Sequence, residues 1–218
     1  MPVQIEIVSD VVCPWCFIGK RRLEQALART PHATAVIWRP FQLNPDLPEE
    51  GVDRALYLQR KFGSAAPDVY ARVAAAGAGA GIPFAFERIT RQPNTRRAHQ
   101  LIALAAPGPG QDRLVEALFS AYFLEGVDLT RRDALLDVAQ HAGLDRAAAS
   151  ACLADPLAGR AVEQEEWGAR ALGVEGVPFF IFGRRLAVSG AHEADVLLRA
   201  IDQAAAGAHD GRHPEPTA

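Results

Sequence analysis

The chain has 218 residues, 49% of them hydrophobic, and a formal net charge of −3. That is enough for a buried core in one large domain or two small ones, and the mild acidity offers no global basic field to nucleic acid. No apolar run reaches the roughly 18 residues that cross a bilayer, and the three cysteines are too few for a disulfide scaffold.

Met1-Pro2-Val3 carries no basic segment, and Gln4 and Glu6 interrupt the apolar stretch behind it. No secretory leader is read there, so the expected location is cytoplasmic. The run from Val3 to Val8 alternates and then turns fully apolar, which predicts a buried strand ending near Ser9 or Asp10. Over residues 14–28, Leu23, Ala26 and Leu27 recur at helical spacing, and Pro14 suits a first helical turn. Residues 33–43 read as a second strand that Pro40 places near an edge or ends early. Strand, helix, strand in this order suits a parallel crossover.

Turn residues then fill 44–51, and an alanine-rich block follows to about residue 172. Helices are expected over 53–62, 67–79, 94–106, 110–124, 131–142, 146–153 and 158–172, with strand character only at Phe84-Ala85-Phe86. A hairpin is expected from 177–182 and 186–189 around Gly183-Arg184-Arg185, and a last amphipathic helix over 193–206. Neither end of the chain has enough strands for a sheet; joined, they supply four strands and two helices. The fold class is therefore α/β, with a helical domain inserted at 45–172 into a discontinuous α/β domain of 1–44 and 173–206. A polar tail over 207–218 is expected to be disordered.

The chemistry sits at Cys13-Pro14-Trp15-Cys16. Cys13 falls at the N-cap position, where free N–H groups and the helix dipole favour a thiolate. Cys16 lies about one turn deeper, shielded but within reach of the first sulfur. Cys13 is thus expected to attack and Cys16 to resolve the mixed disulfide. Pro14 and Trp15 carry no positive charge, so the pair is expected to be less oxidising than one with histidine between the cysteines. Metal binding is the rival reading, but one Cys-x-x-Cys offers two ligands where zinc takes about four. No metal and no bound organic cofactor is expected.

The segment from Ser9 to Lys20, Phe41-Gln42-Leu43-Asn44-Pro45, Asn94-Thr95-Arg96-Arg97-Ala98-His99, Phe123-Leu124-Glu125-Gly126-Val127-Asp128, the Gly176 to Phe182 segment and Val188-Ser189-Gly190-Ala191 resemble, as an ordered set, the cytoplasmic FrnE-like branch of the DsbA-like proteins. The resemblance spans about residues 3–205. It implies a thioredoxin-like fold with a helical insertion, and a thiol-disulfide oxidoreductase or isomerase. It also implies that Pro178 follows a cis peptide bond and faces the cysteines, with the Val177 backbone free to hold a substrate chain. A trans proline opening an edge strand is the plainer reading of that position.

Asn94 and His99 read as a helix cap and a partly buried helix residue, and Asn44 as a turn residue; the resemblance offers each a place in the substrate cleft. Cys152 reads as a small buried hydrophobe. Gly77-Ala78-Gly79-Ala80-Gly81 reads as helix termination, lacking nucleotide-loop spacing. Glu163, Glu165 and Glu166 read as a solvated face, and Lys20, Arg21 and Arg22 as mostly solvated charges able to steer acidic groups. The expected substrates are disulfide-bearing proteins or small thiols. Glutathione is the candidate co-substrate, a thioredoxin or glutathione system the candidate reducing partner, and a homodimer a candidate assembly. Two rivals remain. One is a glutathione-dependent isomerase or transferase resembling 2-hydroxychromene-2-carboxylate isomerase or kappa-class glutathione transferase, which carry serine at the position of Cys13. The other is a redox-linked, chaperone-like binding module.

Overall fold

The computed structural model describes residues 2–207. Strand β1 (Val3–Ser9), helix α1 (Pro14–Leu27) and strand β2 (Thr34–Pro40) open the chain, and β1 pairs with β2 in parallel. Strands β5 (Phe179–Phe182) and β6 (Leu186–Ser189) return at the other end as a hairpin, and β5 runs antiparallel to β1. The four-stranded sheet has the order β2-β1-β5-β6. β1 is central, and its apolar residues Val3, Ile5, Ile7 and Val8 are all buried. β2 is an edge strand ending at Pro40, which has no N–H for a further ladder bond.

Between β2 and β5 the chain builds a short β3 (Val52–Asp53), α2 (Arg54–Phe62), α3 (Ala66–Gly79), a short β4 (Arg91–Gln92), then α4 (Arg96–Leu104), α5 (Pro109–Phe123), α6 (Arg132–His141), α7 (Arg146–Ala154) and α8 (Pro156–Ala171). Helix α9 (Ala194–Gly207) closes the described chain and packs against α1. The starts carry their own caps. Asp53, Asp145 and Asp155 accept from the backbone N–H of Leu56, Ala148 and Leu157, and Pro14, Pro109 and Pro156 stand in first turns.

The insertion is helical apart from β3 and β4, which pair antiparallel over two residues each. Phe84-Ala85-Phe86 forms no strand. Phe86–Arg88 is a 3-10 turn instead, because both rings are drawn into an aromatic cluster with Tyr70 and Phe123. Gly77 lies inside α3, which ends at Gly79, and a Cβ there would collide with the Phe84 ring, so its role is close packing. The tail expected over 207–218 lies outside the described residues except for Gly207, the last residue of α9.

Two surface readings are corrected by packing. Lys20 is 3% exposed, enclosed by Glu24, Asp112 and Glu116; Arg21 lies over the Phe17 ring at 4.8 Å; Arg22 bonds Ala191 O and Glu193. These charges tie α1 to α5 and to the loop before α9, and are not free to steer a ligand. Glu166 is buried, held by Gln42 Nε2 at 2.9 Å and by the Arg170 guanidinium. Cys152 is half-buried on α7, its thiol 3.6 Å from Gln100 O. No helix among the described residues is long and apolar enough to cross a membrane.

Candidate active site

β1 delivers the chain to a turn at 10–13, and α1 begins at Pro14. Cys13 occupies the N-cap position with extended backbone (φ −93°, ψ 111°), and its carbonyl accepts from Cys16 N at 3.0 Å. Both cysteines are buried as residues, 4% and 1% exposed. Trp15, projecting between them in sequence, is 39% exposed. Both sulfurs are free thiols.

The two thiols have different surroundings. Burial first, then the hydrogen bond and charge of the neighbouring Cys13 sulfur, push the Cys16 thiol well above the ordinary thiol range. The Ser9 hydroxyl and the Asp10 backbone N–H pull against that without reversing it. Cys16 is therefore held as a protonated thiol.

The opposite wall comes from the far end of the sequence. The Val177–Pro178 peptide bond is cis, and the Cys13 thiol donates to Val177 O at 3.5 Å. Gly19 on α1 makes the approach close: a Cβ there would stand 3.1 Å from Pro178 Cγ and 3.1 Å from the Phe180 ring. Helix α1 thus rests directly on the start of β5.

His99 and Asn94 make their contacts with the segment that follows β2 and not with the cysteine sulfurs. His99 is 3% exposed, and its Nε2–H donates to Phe41 O at 3.2 Å. Asn94 donates to Pro45 O and Leu47 O and accepts from Arg96 N at 3.0 Å, so its amide fastens the 44–47 loop to the start of α4. It also lines a cleft of about 280 Å³ with Gln42, Trp167 and Arg170. Asn44 is half-buried and accepts from Tyr57 OH at 3.1 Å, while its buried Nδ2 has no partner.

Two buried charged groups, Asp10 next to the cysteine turn and Arg54 on α2, were not singled out from the sequence. Asp10 is fully buried. Its backbone O accepts from Cys13 N, its Oδ2 accepts from Leu43 N at 2.8 Å, and its Oδ1 lies 3.5 Å from His99 Nε2 without a hydrogen bond. Asp10 thereby links the cysteine turn, the exit of β2 and helix α4. A charged residue at the end of an otherwise buried apolar strand was the available signal. The second is Arg54, buried on α2, bonded to Gln92 Oε1 and Tyr70 OH and stacked on Tyr57 and Tyr70. Tyr70 lies within electrostatic reach of Cys13, and its phenol is pushed up, chiefly by burial.

The site is thus a buried pair of thiols in unlike surroundings at a helix start, facing a cis-proline loop. A family model described as a DSBA-like thioredoxin domain matches residues 4–202. The chain belongs to this DSBA-like family. Within it, the chain is 32% identical to a probable DsbA oxidoreductase, SCO1869 of Streptomyces coelicolor, with a TM-score of 0.83 over 99% of this chain and 94% of that one. It is 26% identical to YwbO of Bacillus subtilis over 203 residues, 92% of this chain and 96% of the relative. A 2-hydroxychromene-2-carboxylate isomerase shares the fold, at 17% identity and a TM-score of 0.68 over 96% of this chain and all of that one. Membership in the DSBA-like family makes the protein an enzyme of the oxidoreductase kind.

Proposed function

We propose that the protein is a cytoplasmic thiol-disulfide oxidoreductase acting through a mixed disulfide on Cys13. The observation that carries this reading is the unlike pair, with Cys16 held as a protonated thiol one turn behind Cys13. The Cys13 thiolate attacks one sulfur of a substrate disulfide, and the other sulfur leaves as a thiolate that takes up a proton. Cys16 then loses its proton and attacks Cys13, which releases the second substrate sulfur and leaves a Cys13–Cys16 disulfide. Two electrons pass from the pair to the substrate, and two from glutathione or a thioredoxin-type dithiol restore it. Val177 and Pro178 form the wall against which an extended substrate lies, with Trp15 as an exposed apolar contact and Pro14 setting the turn. Asn94 offers a second contact from the neighbouring cleft, whereas Asn44 and His99 hold the loop behind it. Domain limits of 1–44 and 173–206 around an insertion of 45–172 fit this reading.

Insulin reduction with glutathione as reductant tests it. Cys13→Ser is expected to abolish turnover, and Cys16→Ser to leave single-turnover attack while stopping release. Turnover that survives Cys13→Ser contradicts the mechanism, and glutathione-dependent conversion of small molecules by a protein inert towards disulfides would favour the isomerase. With no cation between the cysteines, the pair is expected to be more reducing than DsbA, at about −120 mV. A glutathione redox titration reads that value.

A further inference from the structure

The outer edge of β2 is closed at one end and open at the other. Ala33 O accepts from Val3 N, and Phe41 N donates to Ser9 O, so the odd-numbered residues of this stretch face β1. The even-numbered residues Thr34, Val36 and Trp38 therefore turn their N–H and C=O groups away from the sheet. At Trp38 the Gln111 amide takes the place of a neighbouring strand: Oε1 accepts from Trp38 N at 2.9 Å, and Nε2 donates to Trp38 O at 3.4 Å. No such cover stands at Thr34 and Val36 among the described residues. The half-buried run Thr34-Ala35-Val36-Ile37 carries none of the lysines or prolines that blunt a sheet edge.

Beside this open edge lies a groove of about 510 Å³ walled by Leu23, Leu27, Val36, Pro107 and Pro109. Its charged rim is one-sided. The Lys20 ammonium is 3% exposed, whereas Glu24 and Asp112 on the rim are 41% and 40% exposed; both already bond Lys20, but three carboxylates, with Glu116, stand there against the two cations Lys20 and Arg21, so the rim stays net acidic. A chain lying in the groove meets carboxylate oxygens.

We propose that the free edge of β2 is a docking site for an extended polypeptide segment carrying a basic side chain. The segment adds as a strand, exchanging backbone hydrogen bonds with Val36 and Thr34, placing apolar side chains against Leu23 and Leu27, and setting its cation against Glu24 and Asp112. A second copy of this chain fits less well. Paired edge to edge about a two-fold axis, it would set the acidic rim against itself. The site is separate from the cysteines and does not depend on their chemistry.

The probe is a fluorescein-labelled nonapeptide of alternating valine and threonine with arginine at each end, titrated against the full chain by anisotropy. Saturable binding is expected. Val36→Pro removes the facing N–H and is expected to weaken binding at least about tenfold without changing insulin reduction. Asp112→Asn is expected to weaken it about threefold. In the wild type, which needs no variant to fold, peptide is expected to slow hydrogen exchange at the Val36 amide. Absence of binding, unchanged affinity in Val36→Pro, or an unprotected Val36 amide overturns the proposal. So does a dimer that Val36→Pro dissolves, because the edge would then belong to a second copy.

Discussion

Cys16 carries a proton that the unfolded chain gives up more easily, because burial and the adjacent Cys13 sulfur both disfavour its thiolate. Between the free thiol pKa of about 8.5 and the raised value in the fold, the native state binds the extra proton. The stability this contributes is complete below about pH 8.5 and is lost as pH rises, by up to about 1.4 kcal/mol per unit. Urea unfolding of the reduced protein from about pH 7 to about pH 10 should therefore show a steeper loss for the wild type than for Cys16→Ala; parallel curves would contradict the assignment. At this scale the sequence was informative about the pair and its order, since Pro14 and the helical spacing behind it put Cys13 at the cap. It showed Asp10 only as a charge at the end of an apolar strand, not its partners. The burial of that carboxylate depends on Leu43 and His99, which arrive from 33 and 89 positions away, and no local pattern announces them.

The helices were legible almost to the residue because each carries an apolar stripe and is bounded by Pro, Gly or a capping Asp. The expected 67–79 and 146–153 became Ala66–Gly79 and Arg146–Ala154. The two-residue strands β3 and β4 escaped because so short a ladder has no periodicity to read. The wet face assigned to Lys20 failed for another reason: its cage is completed by α5, over 90 residues downstream. There the carboxylates outweigh burial and hold the ammonium charged above its ordinary range, while Arg21 and Lys20 hold Glu116 below the carboxylate range against its own burial. Lys20→Ala would leave three carboxylates facing one another between α1 and α5. Breaking a fully buried pair costs about 3–5 kcal/mol; with these carboxylates 30–41% exposed, about 1–2 kcal/mol is expected. Chemical denaturation of Lys20→Ala checks this, and an unchanged midpoint would show that the cage contributes nothing.

Across the whole molecule, the sheet is assembled from the two ends of the chain, so the Cys13 sulfur and the Val177 carbonyl are 164 residues apart in sequence and 3.5 Å apart in space. The sequence implied this closure through strand count, because neither end supplies a sheet alone. It could not supply the packing that makes the closure tight, with Gly19 letting α1 rest on Pro178 and Phe180. The helical insertion then sets Tyr70, Asn94 and Trp167 around the two halves. Every step assigned to the site depends on one covalent species, a substrate sulfur bound to Cys13. The most direct test is to incubate Cys16→Ala with a disulfide-bearing polypeptide, quench with acid, and locate the adduct by mass spectrometry. The expected result is a dithiothreitol-sensitive mixed disulfide on Cys13 and none on Cys152. An adduct confined to Cys152, or none at all, would contradict the account.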